Sequence, residues 1–377
     1  MDRDKYILYI SRWYPSEVDS MLGLFVKNHA LAAAQAGFKV IVIYPAPING
    51  TKINTGFSTN HEKGITEIIL YYRKSSFLSS LSLFISWIKL IRQSIETNGR
   101  PALIHAHILT RAGILALILS KYLDVPYIIT EHWSRYFDEN LSFKGFIRKK
   151  LTQVVINNAR SVTVVSERLA TAMKKRGLKF NPELLNNVVD TAKFHIQTQK
   201  YPTFSFISIS CFEEKSKNLI MLIDSITQIS QSSEFPIDLL LIGDGVDRKK
   251  VEKYAVINGC PAKFMGTLPQ EETAEILKRS HCLVLSSNYE TFGIVAYEAL
   301  ACGLPVITTD VADLKKVIDE DSGFVIPVKD VESMVKAMKK VIENYNSYDP
   351  LKIRKKLETC SIASVSNSLS ELYQGVI

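Results

Sequence analysis

The sequence is poor in cysteine and has no long hydrophobic run. Its five cysteines are scattered over 377 residues, and no two are spaced as a metal-binding pair or a disulfide framework. No apolar stretch approaches the ~20 residues that a membrane-spanning helix needs, and the N-terminal one is too short for a secretory signal. We therefore predict a cytoplasmic protein with reduced thiols, with attachment to the inner face of a membrane as a further possibility.

Signatures of two large function classes are also absent. No recognition helix, zinc finger or RNA-stacking motif is found, which argues against a nucleic-acid partner. No Gly-x-Gly-x-x-Gly follows the first apolar segment, which argues against a dinucleotide-dependent oxidoreductase. Acids are scarce between residues 141 and 180, where ten Lys or Arg residues accompany one acid within a net charge of +8. Residues 144–160 form a basic amphipathic pattern, which indicates either an anionic membrane surface as partner or a solvated face.

Short Val/Ile-rich segments alternate with helix-length segments throughout the chain. Because they lack polar alternation, they predict buried strands of parallel sheets flanked by helices. The series restarts after a polar stretch near residue 196, and 377 residues exceed one usual core. We predict an α/β protein with two doubly wound domains, at 1–195 and 196–355, and a last helix at 356–377. The predicted strands are YILYIS, KVIVIYP, ALIHAH, PYIITEH, SVTVVS, FSFISIS, IDLLLIGDG, HCLVLSS and PVITTD.

Polar residues and glycines follow the predicted strands in both halves. Since ligands of open parallel sheets bind beyond the carboxyl ends of the strands, these positions predict a cleft between the domains. His107 is predicted to touch an acceptor molecule, although a packed, hydrogen-bonded histidine is the equal alternative. The strand-end residues are His105 and His107, Glu131 and His132, Gly243 to Gly245, Lys217, and Glu290.

The segment SSNYETFGIVAYEALACGLPVITTD, residues 286–310, places two acids around a helix start. The free amides of Phe292, Gly293 and Ile294, together with the helix dipole, suit a phosphate group. Glu290 and Glu298 lie on either side of those amides, so two carboxylates would accept hydrogen bonds from the two sugars of a nucleotide sugar. The alternative is that Glu290 caps the helix and Glu298 is a solvated acid.

This segment resembles the Glu-x7-Glu signature of retaining glycosyltransferases of the GT-B fold, the large family-four group. The resemblance extends to SRWYPSEVDSMLGLFVKNHALAAAQAGFKVIVI, LIHAH, TEHW, NNVVDTAKF, LLLIGDG and FMGTLPQEETAEILKRSHCLVLSS, which together cover most of the chain. It implies a two-domain fold that binds the donor in the C-terminal half and the acceptor in the N-terminal half.

The resemblance also implies residue roles. Glu290 would bind the donor sugar, Glu298 the ribose and Lys217 the leaving diphosphate, while His132 would relay the acceptor's proton. Further donor contacts are implied for Gly23, Gly243, Gly245, Met265, Gly266, Leu268 and Thr291 to Ile294, and an acceptor contact is predicted for Glu131.

One departure from the family pattern concerns the second cation. The usual Gly-Arg-Leu arginine position holds Cys211 or Phe212, so Lys215 or the helix dipole would have to supply that charge. We predict transfer from a nucleoside diphosphate sugar, UDP most favoured, to a glycan or lipid-linked acceptor of envelope or exopolysaccharide synthesis. No metal and no bound cofactor are expected. A sugar-nucleotide epimerase of the same fold and a non-catalytic nucleotide-sugar-binding protein are the alternatives.

Overall fold

The computed structural model describes residues 5–50, 52–73, 79–140 and 142–377, with nothing said of the side chain of residue 79. Residue 141, the first of the basic segment, lies outside this part of the chain. The N-terminal sheet has eight strands in the order β3-β4-β2-β1-β5-β6-β7-β8, all parallel except β3 against β4. They are β1 Tyr6–Ser11, β2 Lys39–Pro47, β3 Gly56–Glu62, β4 Ile65–Tyr72, β5 Leu103–His107, β6 Tyr127–Glu131, β7 Ser161–Val164 and β8 Glu183–Leu184.

The C-terminal sheet is wholly parallel and has six strands in the order β11-β10-β9-β12-β13-β14. Both sheets are buried on their two faces because the central strands are almost entirely Val, Ile, Leu, Phe and Tyr. The strands are β9 Phe204–Ile209, β10 Ile237–Ile242, β11 Ala262–Gly266, β12 Cys282–Leu285, β13 Val306–Thr309 and β14 Gly323–Ile326.

Helices cover both faces of each sheet. In the N-terminal sheet, α2 to α5 share one core with the sheet, while α1 and α13 pack on the opposite face. The described helices are α1 Leu24–Gln35, α2 Ser79–Asn98, α3 Arg111–Leu123, α4 Phe146–Asn158, α5 Glu167–Lys175, α6 Glu214–Lys217, α7 Leu219–Ser232, α8 Arg248–Ile257, α9 Gln270–Arg279, α10 Ile294–Ala301, α11 Val331–Glu343, α12 Pro350–Lys355 and α13 Ile362–Gln374. Among the described helices, none has the length and apolar content that a membrane crossing requires.

The nine strands predicted from the sequence are all present, and the two parallel α/β layers confirm the predicted fold class. Five further strands escaped prediction: β3, β4, β8, β11 and β14. Strand β3 has the sequence GFSTNHE and is largely exposed, so it carries no apolar signal. It is ordered by its antiparallel pairing with β4, a contact that local propensity does not encode.

The last helix, α13, belongs spatially to the N-terminal sheet. The Ser366 hydroxyl donates to the carbonyl of Ala32 in α1 at 2.8 Å. The hydroxyl of Tyr373 lies 2.5 Å from that of Tyr9 and 2.8 Å from Nδ1 of His105. The chain therefore crosses from the C-terminal sheet back to the first one, and the segment between β8 and β9 is the other connection.

Candidate active site between the two sheets

A cavity of about 420 Å³ lies between the carboxyl ends of the two sheets. Its walls come from the loop and first turns after β1 on one side, and from the ends of β9, β10 and β11 and the start of α10 on the other. The side chains and backbone that line it include Met21, Phe25, Asn28, Asn187, Ser210, Gly243, Leu268, Gln270, Ile294 and Glu298. The sequence placed a cleft here, and the structure has one.

Helix α10 is preceded by its N-cap residue Gly293, whose φ of 74° is in the left-handed region that favours glycine. A Cβ on Gly293 would come within 3.1 Å of the Leu314 side chain. Phe292 is buried and stacks on Tyr297, with ring centroids 4.5 Å apart, and this contact fixes the turn before the helix. The first-turn amides of a helix have no intrahelical acceptor, so this turn can receive an anion.

Lys217 and Glu290 form a close pair beside that turn. Nζ of Lys217 lies 2.5 Å from Oε1 of Glu290, and each side chain is 16% exposed. The Ser287 hydroxyl donates to the same carboxylate oxygen at 2.8 Å. Burial lowers the pKa of Lys217, but the Glu290 carboxylate and other nearby groups outweigh it and the net pKa is raised, so the ammonium stays charged. The pair therefore places an ammonium against a carboxylate, with no net charge, beside the start of α10, and neither residue is among those that line the cavity.

Glu298 lies one turn further into α10 and lines the cavity. Burial raises its pKa to about 8, an effect that Lys193 and a hydrogen bond with Gln270 only partly oppose. At neutral pH the unliganded side chain is therefore mostly protonated. Lys193 and Gln270 were not identified from the sequence. Lys193 lies in the segment after β8, Gln270 begins α9, and the Lys193 ammonium donates a hydrogen bond to the side-chain oxygen of Gln270 at 2.5 Å.

Glycines shape the C-terminal wall of the cavity. A Cβ on Gly243 would stand 1.8 Å from the carbonyl oxygen of Ser210, and one on Gly245 would stand 2.5 Å from that of Phe212. These loops therefore pack backbone against backbone, and a side chain at either glycine would push them apart. Leu268 faces the cavity, and Gly266, with a φ of 72°, accepts from the amide of Gly243 at 2.8 Å. Met265 is partly exposed on the same edge.

Gly23 precedes α1 as Gly293 precedes α10. Its φ is 70°, and a Cβ there would lie 2.2 Å from the carbonyl oxygen of Trp13. The residue that follows each glycine lines the same cavity: Leu24 at the start of α1 and Ile294 at the start of α10. The structure thus brings together the glycine predicted in the first half and the segment predicted in the second.

Three histidines that are far apart in sequence meet below the cavity. Nδ1 of His107 lies 3.1 Å from Nε2 of His132, and Nε2 of His29 lies 2.9 Å from the carbonyl oxygen of Asn186. The remaining ring nitrogens have no partner among the described residues. One nitrogen from each ring lies within 4.8 Å of the others, so this cluster could hold a transition-metal ion. Burial lowers the pKa of all three, that of His29 to about 4, so the rings are neutral.

Phe25 separates His132 from the cavity. Its ring centroid lies 4.4 Å from that of His132, and Phe25 itself lines the cavity. His107 is fully buried behind His132 and stacks on His105 at 4.2 Å. The predicted contact of His107 with an acceptor therefore does not fit this geometry, and His107 instead orients His132. The packed, hydrogen-bonded histidine, the alternative left open by the sequence, is what the structure has.

Glu131 is likewise a scaffold residue in this structure. It is fully buried, and one of its oxygens accepts from the amides of His132 and Trp133 at 2.9 Å each. The other accepts from the Leu109 amide and the Tyr136 hydroxyl. The predicted acceptor contact of Glu131 is inconsistent with this arrangement, because the carboxylate holds the loops after β5 and β6 together.

Two residues of the C-terminal half reach toward the N-terminal one. Lys215 is exposed, and its ammonium donates to the carbonyl of Asn140 at 3.3 Å, away from the Lys217–Glu290 pair. The carbonyl of Thr291 accepts from the Ser166 hydroxyl at 2.5 Å. Both contacts join the two halves at the rim of the cleft, and a donor-binding role for Lys215 stays a prediction.

Comparisons with known proteins agree with this fold. Residues 190–358 match the family described as Glycosyl transferases group 1, and residues 22–193 match Glycosyltransferase Family 4. Glycogen synthase of Mycobacterium tuberculosis is 23% identical over 367 residues, 90% of this chain and 86% of that protein. A putative teichuronic acid biosynthesis glycosyltransferase, TuaC of Bacillus subtilis, is 23% identical over 363 residues, 88% of each chain. The Anabaena HepE structure in complex with UDP and glucose superposes with a TM-score of 0.73 at 14% identity, covering 98% of this chain and all of that one.

Proposed function

The chain belongs to the glycosyltransferases of the GT-B fold, and we propose that it is a retaining enzyme that uses a nucleoside diphosphate sugar, UDP most favoured. The acceptor we propose is a hydroxyl of a glycan or lipid-linked glycan in envelope or exopolysaccharide synthesis. The binding of UDP by a protein of the same fold supports the donor class. The names of the two relatives, a glycogen synthase and a putative teichuronic acid glycosyltransferase, point to different acceptors. The acceptor is therefore argued from this chain alone.

The donor's diphosphate lies at the start of α10. The amides after Phe292 and the ammonium of Lys217 stabilise the negative charge that develops on the leaving group. Glu290, 2.5 Å from that ammonium, accepts from hydroxyls of the donor sugar. Glu298, deeper in the cavity, accepts from the ribose, with Leu268 on the side of the base. The Lys217–Glu290 pair at a glycine-started helix is the observation that carries this proposal.

The reaction breaks the bond between the anomeric carbon and the diphosphate oxygen. The acceptor oxygen forms its bond to that carbon on the same face, and the acceptor's proton passes to a base. His132 is the base proposed here: burial lowers the pKa of its ring, which weakens it as a base but keeps it neutral, and its Nδ1 has no partner within the described residues. Phe25 must turn aside for His132 to reach an acceptor, because its ring covers the imidazole.

A thermal-shift panel of nucleoside diphosphates and their sugars tests the donor class. A ligand at a hundred times its dissociation constant raises the free energy of unfolding by ~2.7 kcal/mol. We expect UDP and one UDP-sugar to give the largest shifts, and Glu298→Gln to reduce them. If no nucleotide in the panel raised the melting temperature of the protein, the result would contradict the proposal.

Labelled sugar in the same preparations tests the reaction itself. Transfer that requires an acceptor, with the donor's anomeric configuration kept in the product, is the expected result. Donor turnover without any acceptor would favour an epimerase. Binding of nucleotide sugar with no turnover under either condition would favour a non-catalytic binding protein.

A further inference from the structure

Three arginines lie at the carboxyl edge of the N-terminal sheet, on neighbouring strands. Arg12 follows β1 directly, Arg111 begins α3 after β5, and Arg135 lies four residues beyond β6. Strands β1, β5 and β6 are adjacent and parallel, so their carboxyl ends meet at one place. None of the three was singled out by the sequence, because each belongs to a different loop.

Aromatic rings hold two of these arginines in place. The guanidinium carbon of Arg135 lies 3.8 Å from the centroid of the Trp133 ring, and that of Arg12 lies 5.0 Å from the same centroid. Trp13 packs edge-on against Trp133 with ring centroids 5.1 Å apart. Indole faces attract cations and leave the guanidinium N–H groups free for another partner.

Within the described part of the chain, no carboxylate forms an ion pair with these three arginines. Arg135 is 3% exposed, and its Nε and Nη2 atoms have no hydrogen-bond partner within the described residues. Glu131, which ends β6 four residues before Arg135, uses both oxygens for the backbone and for Tyr136. Burial, together with the positive charges of Arg111 and Arg135, lowers the pKa of Arg12. A buried guanidinium without a counter-charge is unfavourable, so the cluster is suited to an external anion.

An apolar groove of about 220 Å³ starts at one of these arginines, Arg111. It runs between α2 and α3, and of the described residues that line it only Arg111 is charged. The lining residues are Ser80, Leu83, Phe84, Trp87, Arg111, Ile114, Leu115 and Ile118. A ligand that filled both features would therefore have an anionic group at one end and a hydrocarbon chain beside it.

The outer surface around this groove is apolar and basic. Of the 22 large hydrophobic residues that are exposed in the described structure, ten lie on α2, α3 and α4, which cover one face of the N-terminal sheet. They are Leu81, Phe84, Ile85, Ile88, Ile118, Tyr122, Phe146, Ile147, Leu151 and Val154. The same helices carry seven Lys or Arg residues and one acid. This face is complementary to an anionic bilayer, from which a lipid chain could enter the groove.

We propose that the acceptor is a phosphate ester with an apolar chain, whose phosphate is bound by Arg12 and Arg111 beside Arg135 and whose chain lies in the α2–α3 groove. The inference rests on the proposed transferase function and deepens it, since it names the acceptor's chemistry. The phosphate anchors the acceptor on the N-terminal side of the cleft, opposite the donor.

Binding of decyl phosphate, below its micelle concentration and without donor, tests the proposal by calorimetry. We expect it to bind at least about tenfold more tightly than inorganic phosphate or decyl maltoside. Arg12→Gln and Arg111→Gln should each weaken it about tenfold, whereas Lys121→Gln, at the other end of α3, should not. Both arginines are at least partly exposed, so the variants are expected to fold, and circular dichroism checks this.

Three outcomes would overturn the proposal. If decyl maltoside bound as tightly as decyl phosphate, the phosphate would not be recognised. If inorganic phosphate bound as tightly, the apolar chain would not contribute to binding. If the arginine variants bound decyl phosphate as tightly as wild type, the arginines would not form the site. UDP affinity, measured on the same samples, separates this test from the proposed function. A wild-type protein that binds decyl phosphate but not UDP would contradict the transferase proposal while leaving the site intact.

Discussion

The two sheet edges that face the cleft are built by opposite means. The C-terminal edge is an open wall of glycines that includes the close ion pair of Lys217 with Glu290 and an acid of raised pKa, Glu298. The N-terminal edge is packed with histidine, tryptophan and arginine side chains, and its arginines have no acid partner within the described chain. A preformed ion pair beside a helix start suits a donor that is the same in every turnover. An aromatic edge with uncompensated cations suits an acceptor that brings its own charge.

The largest effect is expected from a substitution that removes the ion pair of the C-terminal edge. Lys217→Ala should lower the transfer rate by about 10²–10³-fold, because the leaving diphosphate loses its nearest cation and Glu290 loses its partner. Labelled-sugar transfer at saturating donor measures it. Lys249→Ala, an exposed lysine of α8, is the matched control and should have little effect. Equal rates for the two variants would show that Lys217 does not act on the leaving group.

The next effect separates the two edges. His132→Asn should lower turnover by about 10²-fold while leaving UDP affinity unchanged, since His132 lies on the N-terminal side, behind Phe25. Turnover comes from steady-state transfer, and affinity comes from calorimetry. His61→Asn, on exposed β3, is the control. A parallel loss of turnover and affinity would contradict a role for His132 in proton transfer.

The sequence was informative about one edge and much less about the other, for a physical reason. Glu290, Gly293 and Glu298 lie within nine residues, so their spacing alone places them around one helix start. The N-terminal edge is assembled from positions up to 123 residues apart, such as Arg12 and Arg135, and proximity of this kind depends on the strand order. His107 and Glu131 were correctly predicted at strand ends, but no local sequence pattern indicated that their side chains are buried in the core. Phe25, Lys193 and Gln270 carried no signal, because single aromatic, lysine and amide residues are common in helices and turns of any protein.

Glu298 gives a smaller and pH-dependent effect. Glu298→Gln should weaken UDP binding about tenfold at pH 8.5, by loss of a charged acceptor for the ribose. With the pKa of the free side chain near 8, wild-type affinity should fall as the pH drops below 8, by up to about tenfold per unit. Titrations between pH 6 and 9 measure both. If the UDP affinity of the wild type changed with pH as little as that of the variant, the protonated form of Glu298 would bind the ribose as well as the ionised form.

The same contrast should appear in stability. The buried histidines 29, 105, 107 and 132 have pKa values lowered by burial, so the unfolded chain binds more protons below pH 6.5 and stability falls as the pH drops from there. Each contributes up to about 1.4 kcal/mol per pH unit. Glu298 has a raised pKa, so its contribution is present below 4.5 and is lost as the pH rises to 8.

Chemical denaturation of wild type, His29→Gln and Glu298→Gln at pH 5, 7 and 9 measures these terms. Relative to wild type, His29→Gln should lose less stability on going from pH 7 to 5, and Glu298→Gln should gain between pH 5 and 9. An identical pH dependence in all three proteins would show that neither edge is coupled to proton binding in this way.

The smallest effect concerns the outer face of the N-terminal half. Lys150, in α4, lies beside Phe146, whose side chain is 70% exposed, with its ammonium 4.5 Å from that ring centroid. A basic residue near an anionic surface contributes ~1 kcal/mol, so Lys150→Gln should weaken binding to vesicles containing anionic lipid about fivefold at low salt. Lys336→Gln, an exposed lysine of α11 in the C-terminal half, is the control and should change nothing. If both variants bound alike, the basic segment would be a solvated face, and the acceptor would have to reach Arg12 and Arg111 from solution.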